Sequence, residues 1–299
     1  MPVPARRADP TGSRPRPSTL RYAAGVPGPI ASLPAAPGPL AGRERAAFER
    51  DGFVLLPGAL DEDTVGRLRA QAARLDAAFR ARPGINRHAV LNRHDLIGLD
   101  EVFLELVDWP ATFPKVVDLL GWNIQLFHTQ LVVTPPAHPQ APAGAYAWHQ
   151  DNNRMNRELG PAPHPMISVK VAYFLSDCAE PGMGNLCVHP GSQFAPEPPP
   201  GPGVEICARA GDALLFDRRL WHAASTNHSP VTRIVCFYGY SYRWLRTKSR
   251  FPIQVTTDPI RRQLLGWARS ANGHFDPAPE EVPLRAWVEE HLGPGAASP

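Results

Sequence analysis

The spacing of apolar residues changes once along the chain, and the change separates a helical part from a β-rich part. After Asp61, apolar residues recur at alternating intervals of three and four, which places them on one face of a helix. These residues are Val65, Leu68, Ala72, Leu75 and Phe79. Shorter helices are predicted over 43–50, 101–109 and 113–120, and a strand over 51–57. The part from 41 to 121 is therefore predicted to be mainly helical.

From Asn123 onward, short runs of β-branched and aromatic residues alternate with Pro and Gly. Several short strands with turn signals between them are typical of a barrel or a sandwich. The predicted strands cover 124–134, 166–175, 186–189, 204–207, 213–216 and 231–240. The long segments 135–145, 152–165 and 194–203 are predicted to be functional loops. Helices around 260–268 and over 283–292 are predicted within a C-terminal helical extension, 243–299.

Composition limits the domain number, the partners and the compartment. Residues 1–40 are rich in Pro and Arg without apolar periodicity, so we predict a disordered segment there and a single domain over 41–299. A net charge of +3 from scattered Lys and Arg gives no sign of a nucleic-acid partner. The chain has no apolar run approaching the ~20 residues that span a bilayer, so no membrane partner is expected. Four cysteines without Cys-x-x-Cys spacing favour a reduced, cytoplasmic protein.

The segment Trp148-His149-Gln150-Asp151 carries the first indication of chemistry. Residues two apart on a strand point to the same side, so His149 and Asp151 can bind one ion. With a distant histidine they would form the two-His-one-carboxylate set that leaves three positions open on Fe(II). The same spacing recurs at 274–276, but no strand-rich region with further histidines follows that pair. The first pair is therefore the predicted metal site.

The third ligand is predicted to be His222, at the end of a run that starts with a Gly-Asp turn and continues as a buried strand. His189 and His228 are the alternatives, and both stand next to turn residues. Arg233 follows His222 by eleven residues in an otherwise apolar strand. A buried arginine needs an anion, and its fork matches a carboxylate such as the distal one of 2-oxoglutarate. The alternative is a structural ion pair with Asp212 or Asp217.

Taken together, these motifs resemble the phytanoyl-CoA dioxygenase family of Fe(II)/2-oxoglutarate oxygenases. The resemblance runs from about 47 to 240 and includes the segments 174–177, 182–185, 189–192 and 211–212. It implies a mainly β fold with flanking helices, a cupin-like double-stranded β-helix (jelly roll) with its core at 122–242. It further implies Fe(II) on His149, Asp151 and His222, 2-oxoglutarate on Arg233, and O2 as the oxidant. Two positions depart from the family pattern, Gln193 where His is usual and Thr134 where Lys is common.

The resemblance also implies a reaction. Related halogenases have a small residue in place of the carboxylate, so an intact Asp151 favours hydroxylation of an unactivated C–H bond, with release of succinate and CO2. The substrate is expected to be a small molecule, for which the composition suggests bacterial secondary metabolism. Neither its identity nor the oligomeric state is encoded visibly in the sequence. Two alternatives are a cupin-like metal-dependent isomerase or hydrolase and a catalytically silent metal-binding relative.

Further site residues are predicted on the surrounding segments. The cosubstrate site is expected to be lined by Lys170, Tyr173 and Gln130. For Lys170 the alternative is a position on an edge strand, with its ammonium group in water. Around the metal-binding strand, the residues expected to meet substrate are Trp148, Asn152, Asn153 and Arg154.

Overall fold

The computed structural model describes residues 38–142, 146–151, 153–160, 164–269 and 276–293. The helices are α1 (Gly42–Asp51), α2 (Glu62–Arg80), α3 (Glu101–Glu105), α4 (Phe113–Leu120), α5 (Asn153–Leu159), α6 (Pro259–Leu264) and α7 (Pro283–Leu292). The strands are β1 (Phe53–Leu56), β2 (Leu91–His94), β3 (Ile124–Thr134), β4 (Ser168–Phe174), β5 (Leu186–Val188), β6 (Val204–Glu205), β7 (Ala213–Asp217), β8 (His222–Ala224) and β9 (Arg233–Tyr242).

Two antiparallel sheets carry the fold. The larger has six strands in the order β1-β7-β4-β9-β3-β2, and the smaller has three in the order β6-β5-β8. The non-sequential order means that the chain crosses repeatedly between the sheets, as in a jelly roll. An isolated bridge between His149 and His222 adds one more segment to the β8 edge of the smaller sheet.

Alternation along β4 shows how the larger sheet separates two cores. Val169, Val171 and Tyr173 belong to the apolar cluster shared with the helices. Ala172 and Phe174 belong to the cluster shared with the smaller sheet, which we call the inner face. Burying each large apolar side chain contributes about 1.5–3 kcal/mol, so both faces of this strand stabilise the fold. Polar groups on the inner face therefore need a specific explanation.

Capping side chains and a glycine mark the ends of several helices. The Asp61 side chain accepts a hydrogen bond from the Thr64 N–H at 2.7 Å and caps α2. Glu44 reaches back to the Ala41 N–H at 2.7 Å and caps α1. Gly121 follows α4 with φ of 78°, a conformation that costs glycine little. The predicted helices over 43–50, the long helix after Asp61 and the helix over 113–120 are confirmed.

Four segments differ from what the sequence predicted. The predicted loop 152–165 contains α5, and the polar stretch 91–94 forms the edge strand β2, which was not predicted. His222 does not end the strand that begins at 213, because β7 stops at Asp217 and a turn leads into β8, which begins at His222. The helix α6 stops at Leu264, short of the predicted 268.

Two predictions fall on the borders of the described residues. Of the predicted disordered segment only 38–40 is described, and there Leu40 is buried, with its N–H donating to Asp118. Residues 274 and 275, part of the second His-x-Asp pair, lie outside the described residues.

In the described ranges, no helix has the length and apolar character needed to cross a membrane. All four cysteines are buried, and none of them forms a disulfide.

Candidate metal centre

Three potential ligands meet on the inner side of the smaller sheet. One ligand atom each from His149, Asp151 and His222 lies within 4.8 Å of the others. The two histidines form a backbone pair, with N–H to carbonyl distances of 3.0 Å in both directions. Their rings therefore project to the same side, with centroids 4.3 Å apart. Asp151, two residues on, is fixed by its N–H bond to the Arg218 carbonyl at 3.0 Å.

Both imidazoles are held in the tautomer that a metal requires. Nδ1 of His149 lies 3.0 Å from the Ala147 carbonyl, and Nδ1 of His222 lies 2.8 Å from the Leu220 carbonyl. A carbonyl oxygen only accepts, so each Nδ1 carries the hydrogen and each Nε2 keeps its lone pair. Burial lowers the pKa of His222 to about 3, which keeps this imidazole neutral at physiological pH. Two Nε2 atoms and a carboxylate suit a divalent iron.

Asp151 lies among cations that keep it ionised. Burial alone raises the pKa of this carboxyl, but the charge of Lys170 beside it and the further effect of Arg218 hold the pKa well below its ordinary value. Lys170 Nζ is 2.6 Å from Oδ2, and Arg218 Nε is 3.4 Å from the same atom. A partly buried carboxylate held charged in this way is ready to bind a cation.

Lys170 faces inward from the middle of the larger sheet. Its strand, β4, pairs with β7 on one side and β9 on the other, so the solvated edge-strand alternative is wrong. The ammonium lies 5.6 Å from the ring centre of Phe216 and 5.2 Å from that of Phe237. Burial lowers the pKa of Lys170, and the charge of Asp151 opposes this shift.

Arg233 is a buried cation without a carboxylate partner among the described residues. It begins β9 on the inner face and is 2 % exposed. Its Nε and Nη2 have no hydrogen-bond partner among the described residues, and its guanidinium lies beside the Cys178 thiol. Burial lowers the pKa of Arg233, because the site offers little to compensate the charge. Each unpaired buried donor costs about 1–3 kcal/mol, so the geometry calls for an anionic ligand.

The alternative partners of Arg233 are engaged elsewhere. Asp217 forms a salt bridge with Arg219 at 2.6 Å. Asp212 accepts the N–H of Gly58 at 2.9 Å and that of Arg209 at 2.8 Å. In the described ranges, no carboxylate lies within salt-bridge distance of Arg233, so neither proposed structural ion pair is formed.

The two remaining residues predicted to line the cosubstrate site lie on opposite faces of the larger sheet. Gln130 stands on the inner face of β3, where its amide donates to Asn92 Oδ1 at 2.8 Å. Tyr173 faces the helices, with its hydroxyl 2.6 Å from Thr112 Oγ1 and its ring against Tyr238. The prediction that Tyr173 lines the cosubstrate site is wrong, because Tyr173 and Lys170 are three apart on one strand and point to opposite faces.

The side chains predicted to contact substrate do not point toward the metal ligands where the structure describes them. Trp148 points away from His149 and packs on the His189 ring, with centroids 4.1 Å apart. Arg154 is 85 % exposed and pairs with Glu158 along α5, so it does not enter the site. Neither side chain lies beside the metal ligands, and their contact with substrate stays a prediction. Asn152 lies outside the described residues, and of Asn153 only the backbone, at the start of α5, is described.

Two inner-face residues near the triad were not predicted. Arg218 is buried beside Asp151, and its guanidinium carbon Cζ lies 4.4 Å from the centre of the Phe127 ring. His128 follows a β-bulge in β3, and its ring lies over Gly239, where an added Cβ would meet Nδ1 at 2.5 Å. Burial lowers the pKa of His128 well below its ordinary value. The sequence signal for Arg218 is the Asp-Arg-Arg turn, whereas a bulge leaves no clear sequence mark.

The chain resembles known proteins over most of its length. A family model described as phytanoyl-CoA dioxygenase (PhyH) matches residues 48–235. An ectoine dioxygenase from Streptomyces anulatus is 28 % identical over 252 residues, covering 71 % of this chain and 82 % of that protein. Another, from Nocardia farcinica, is 25 % identical over 234 residues, covering 66 % and 76 %.

Solved structures show the same fold. HygX from Streptomyces hygroscopicus, crystallised with nickel and 2-oxoglutarate, superposes with a TM-score of 0.57 at 20 % identity, covering 70 % of this chain and 90 % of HygX. SnoN, a non-heme α-ketoglutarate-dependent epimerase from nogalamycin biosynthesis, gives 0.53 at 22 % identity, covering 67 % and 79 %. With the two antiparallel sheets, this likeness confirms the predicted double-stranded β-helix.

Proposed function

Because the chain belongs to the phytanoyl-CoA dioxygenase family and is a non-heme Fe(II)- and 2-oxoglutarate-dependent dioxygenase, we propose that it hydroxylates an unactivated C–H bond of a small molecule. The observation that carries this proposal is the joint presence of the His149, Asp151 and His222 cluster and the unpaired, buried Arg233. A buried guanidinium without an anion would only destabilise a purely structural protein. A 2-oxoglutarate-dependent oxygenase needs such a guanidinium, because its cosubstrate is a dianion.

Each residue has a distinct role in the proposal. His149, Asp151 and His222 would hold Fe(II), and Arg233 would bind the distal carboxylate of 2-oxoglutarate through two parallel hydrogen bonds. The bound iron with 2-oxoglutarate would supply O2 activation, coupled to release of succinate and CO2. Lys170 and Gln130 lie on the same inner face as Arg233. Lys170 supports the centre by keeping Asp151 ionised.

The substrate is proposed to be a small organic molecule of secondary metabolism. Two neighbouring structures were solved with natural products, HygX with hygromycin B and SnoN with nogalamycin RO. The intact carboxylate at Asp151 favours hydroxylation over halogenation, because it occupies the coordination position that a halide would need. Four buried cysteines that form no disulfide support a reducing, cytoplasmic setting.

An anaerobic titration tests the assignment. Fe(II) and then 2-oxoglutarate are added to the wild type, to His222→Ala, to Arg233→Ala and to the control His189→Ala, while the visible charge-transfer band of the chelate is followed. We expect the band in the wild type and the control, its loss in His222→Ala, and a much higher 2-oxoglutarate requirement in Arg233→Ala. Iron binding in the wild type without a band would overturn the oxygenase and favour the cupin-like hydrolase or isomerase.

A further inference from the structure

A basic pocket lies where the chain leaves β9, at a distance from the metal ligands. Its volume is about 400 Å³, within the range of small-molecule sites. We call it the Arg243 pocket. Its lining includes Gln125, Arg243, Trp244, Arg246, Ser249 and Arg250. Gly239, the cross-strand partner of Lys170, precedes Arg243 by four residues, which corresponds to about 13 Å along an extended strand. The pocket is thus separate from the triad.

The base of the pocket contains two buried polar groups without partners. Arg243 is 3 % exposed and Ser249 is 2 % exposed. The Arg243 Nε and the Ser249 Oγ both lack a hydrogen-bond partner among the described residues. Glu281 acts on Arg243 only through its charge, while its own Oε1 accepts the Arg269 N–H at 2.6 Å. Each unpaired group costs about 1–3 kcal/mol, a cost that a bound acceptor would remove.

The rim of the pocket carries exposed positive charge and an aromatic surface. Arg246 and Arg250 are exposed, and no carboxylate in the described part of the chain lies within salt-bridge distance of either. Trp244 is 49 % exposed and stacks on Tyr242 with centroids 5.4 Å apart and planes 13° apart. Exposed charges around a partly buried base attract an anion and guide it inward.

We propose that the Arg243 pocket binds a phosphate group. Three guanidinium groups and a hydroxyl offer more donors than the two oxygens of a carboxylate can use, whereas a phosphate presents three terminal oxygens and up to two charges. The phosphate can be inorganic or part of a phosphate monoester. In the second case the organic part would lie on Trp244, where the exposed ring provides a flat apolar surface.

Titration calorimetry with inorganic phosphate tests this proposal on the metal-free protein, so its outcome is independent of iron and 2-oxoglutarate. Arg243→Met should weaken phosphate binding roughly ten- to a hundredfold, because it removes a buried charged donor. The same variant should unfold at a temperature no lower than the wild type, because it removes a buried donor that has no hydrogen-bond partner among the described residues. A merely structural arginine would give a lower unfolding temperature.

The rim variants provide a test that does not depend on the buried position. Arg246→Gln/Arg250→Gln should weaken phosphate binding about tenfold, and Arg74→Gln/Arg285→Gln, which removes the same charge from exposed helical positions, should not. Equal weakening in both double variants, or wild-type binding no tighter than that of Arg243→Met, overturns the proposal. Phenyl phosphate distinguishes the sources. Tighter binding than inorganic phosphate that is lost in Trp244→Ala supports a monoester, and equal binding supports the free anion.

Discussion

Replacing Arg233 by methionine should stabilise the protein and at the same time make it insensitive to 2-oxoglutarate. The guanidinium is buried with two nitrogens unpaired, and each unpaired donor costs about 1–3 kcal/mol. Methionine fills a similar volume without charge, so the free energy of unfolding should rise by about 2 kcal/mol or more. At about 2–4 °C per kcal/mol for a chain of this size, the midpoint of thermal unfolding should rise by at least about 4 °C.

Ligand binding should offset much of this difference in stability between the two proteins. In the Ni(II)-loaded wild type, 2-oxoglutarate at a hundred times its Kd should add about 2.7 kcal/mol to the free energy of unfolding. Arg233→Met should gain almost nothing at the same concentration. Thermal unfolding of both proteins, with and without 2-oxoglutarate, gives the four values needed.

Arg218→Met is the matched control, because Arg218 is equally buried but paired with Asp151. The free energy of unfolding of Arg218→Met should be lower than that of the wild type by about 1.5–3 kcal/mol, the usual value of a hydrogen bond to a charged group. The reasoning fails if Arg233→Met is less stable than the wild type before 2-oxoglutarate is added, since Arg233 would then have a structural partner.

Three further changes test other parts of the site. Tyr173→Phe should lower the free energy of unfolding in urea by about 1 kcal/mol, through loss of the Thr112 hydrogen bond; a raised KM for 2-oxoglutarate would show that Tyr173 does reach the cosubstrate. Gly239→Ala should cost about 1–3 kcal/mol and weaken iron binding, because its Cβ would overlap the His128 ring; unchanged stability and iron affinity would refute this close packing. The third change is in pH. The pKa of His222 falls from its ordinary 6.5 to about 3 on folding, so only the unfolded chain takes up this proton between these values. Stability is then complete above pH 6.5 and falls by up to about 1.4 kcal/mol per pH unit below it. Chemical unfolding of the metal-free protein between pH 7 and 4.5 should show this loss, with a smaller slope in His222→Asn; an identical slope in both would contradict it.

Periodicity predicted the elements that are both apolar and long. The bounds of β3 and α4 agree with the predicted ranges, because apolar residues at regular spacing decide which face is buried. The edge strand β2 contains mainly polar residues and forms by pairing with β3, a tertiary contact that no local pattern reveals. The helix α5 is short, with one pair of apolar residues, Met155 and Leu159, at helical spacing.

The ligand cluster could be predicted because strand geometry relates His149 to Asp151 directly. The outer parts of the site could not, because they depend on which face of a strand a residue takes. Trp148 is next to His149 in sequence but packs on His189, and Tyr173 is three residues from Lys170 but faces the helices. Lys170 and Arg218 reach Asp151 from two different strands or turns, and only the folded chain shows that they share it.

The paired backbone of His149 and His222 also determines which parts of the chain can change length. Two hydrogen bonds fix these residues opposite each other, and a slip of the His149 segment by one position would turn its imidazole to the far side of the sheet. An insertion between 148 and 151 would therefore dismantle the ligand set. The segments before 146 and after 151 are outside this constraint, and they can lengthen, shorten or change composition while the ligands stay in place. Selection for a new substrate can thus act on the loops without rebuilding the iron site.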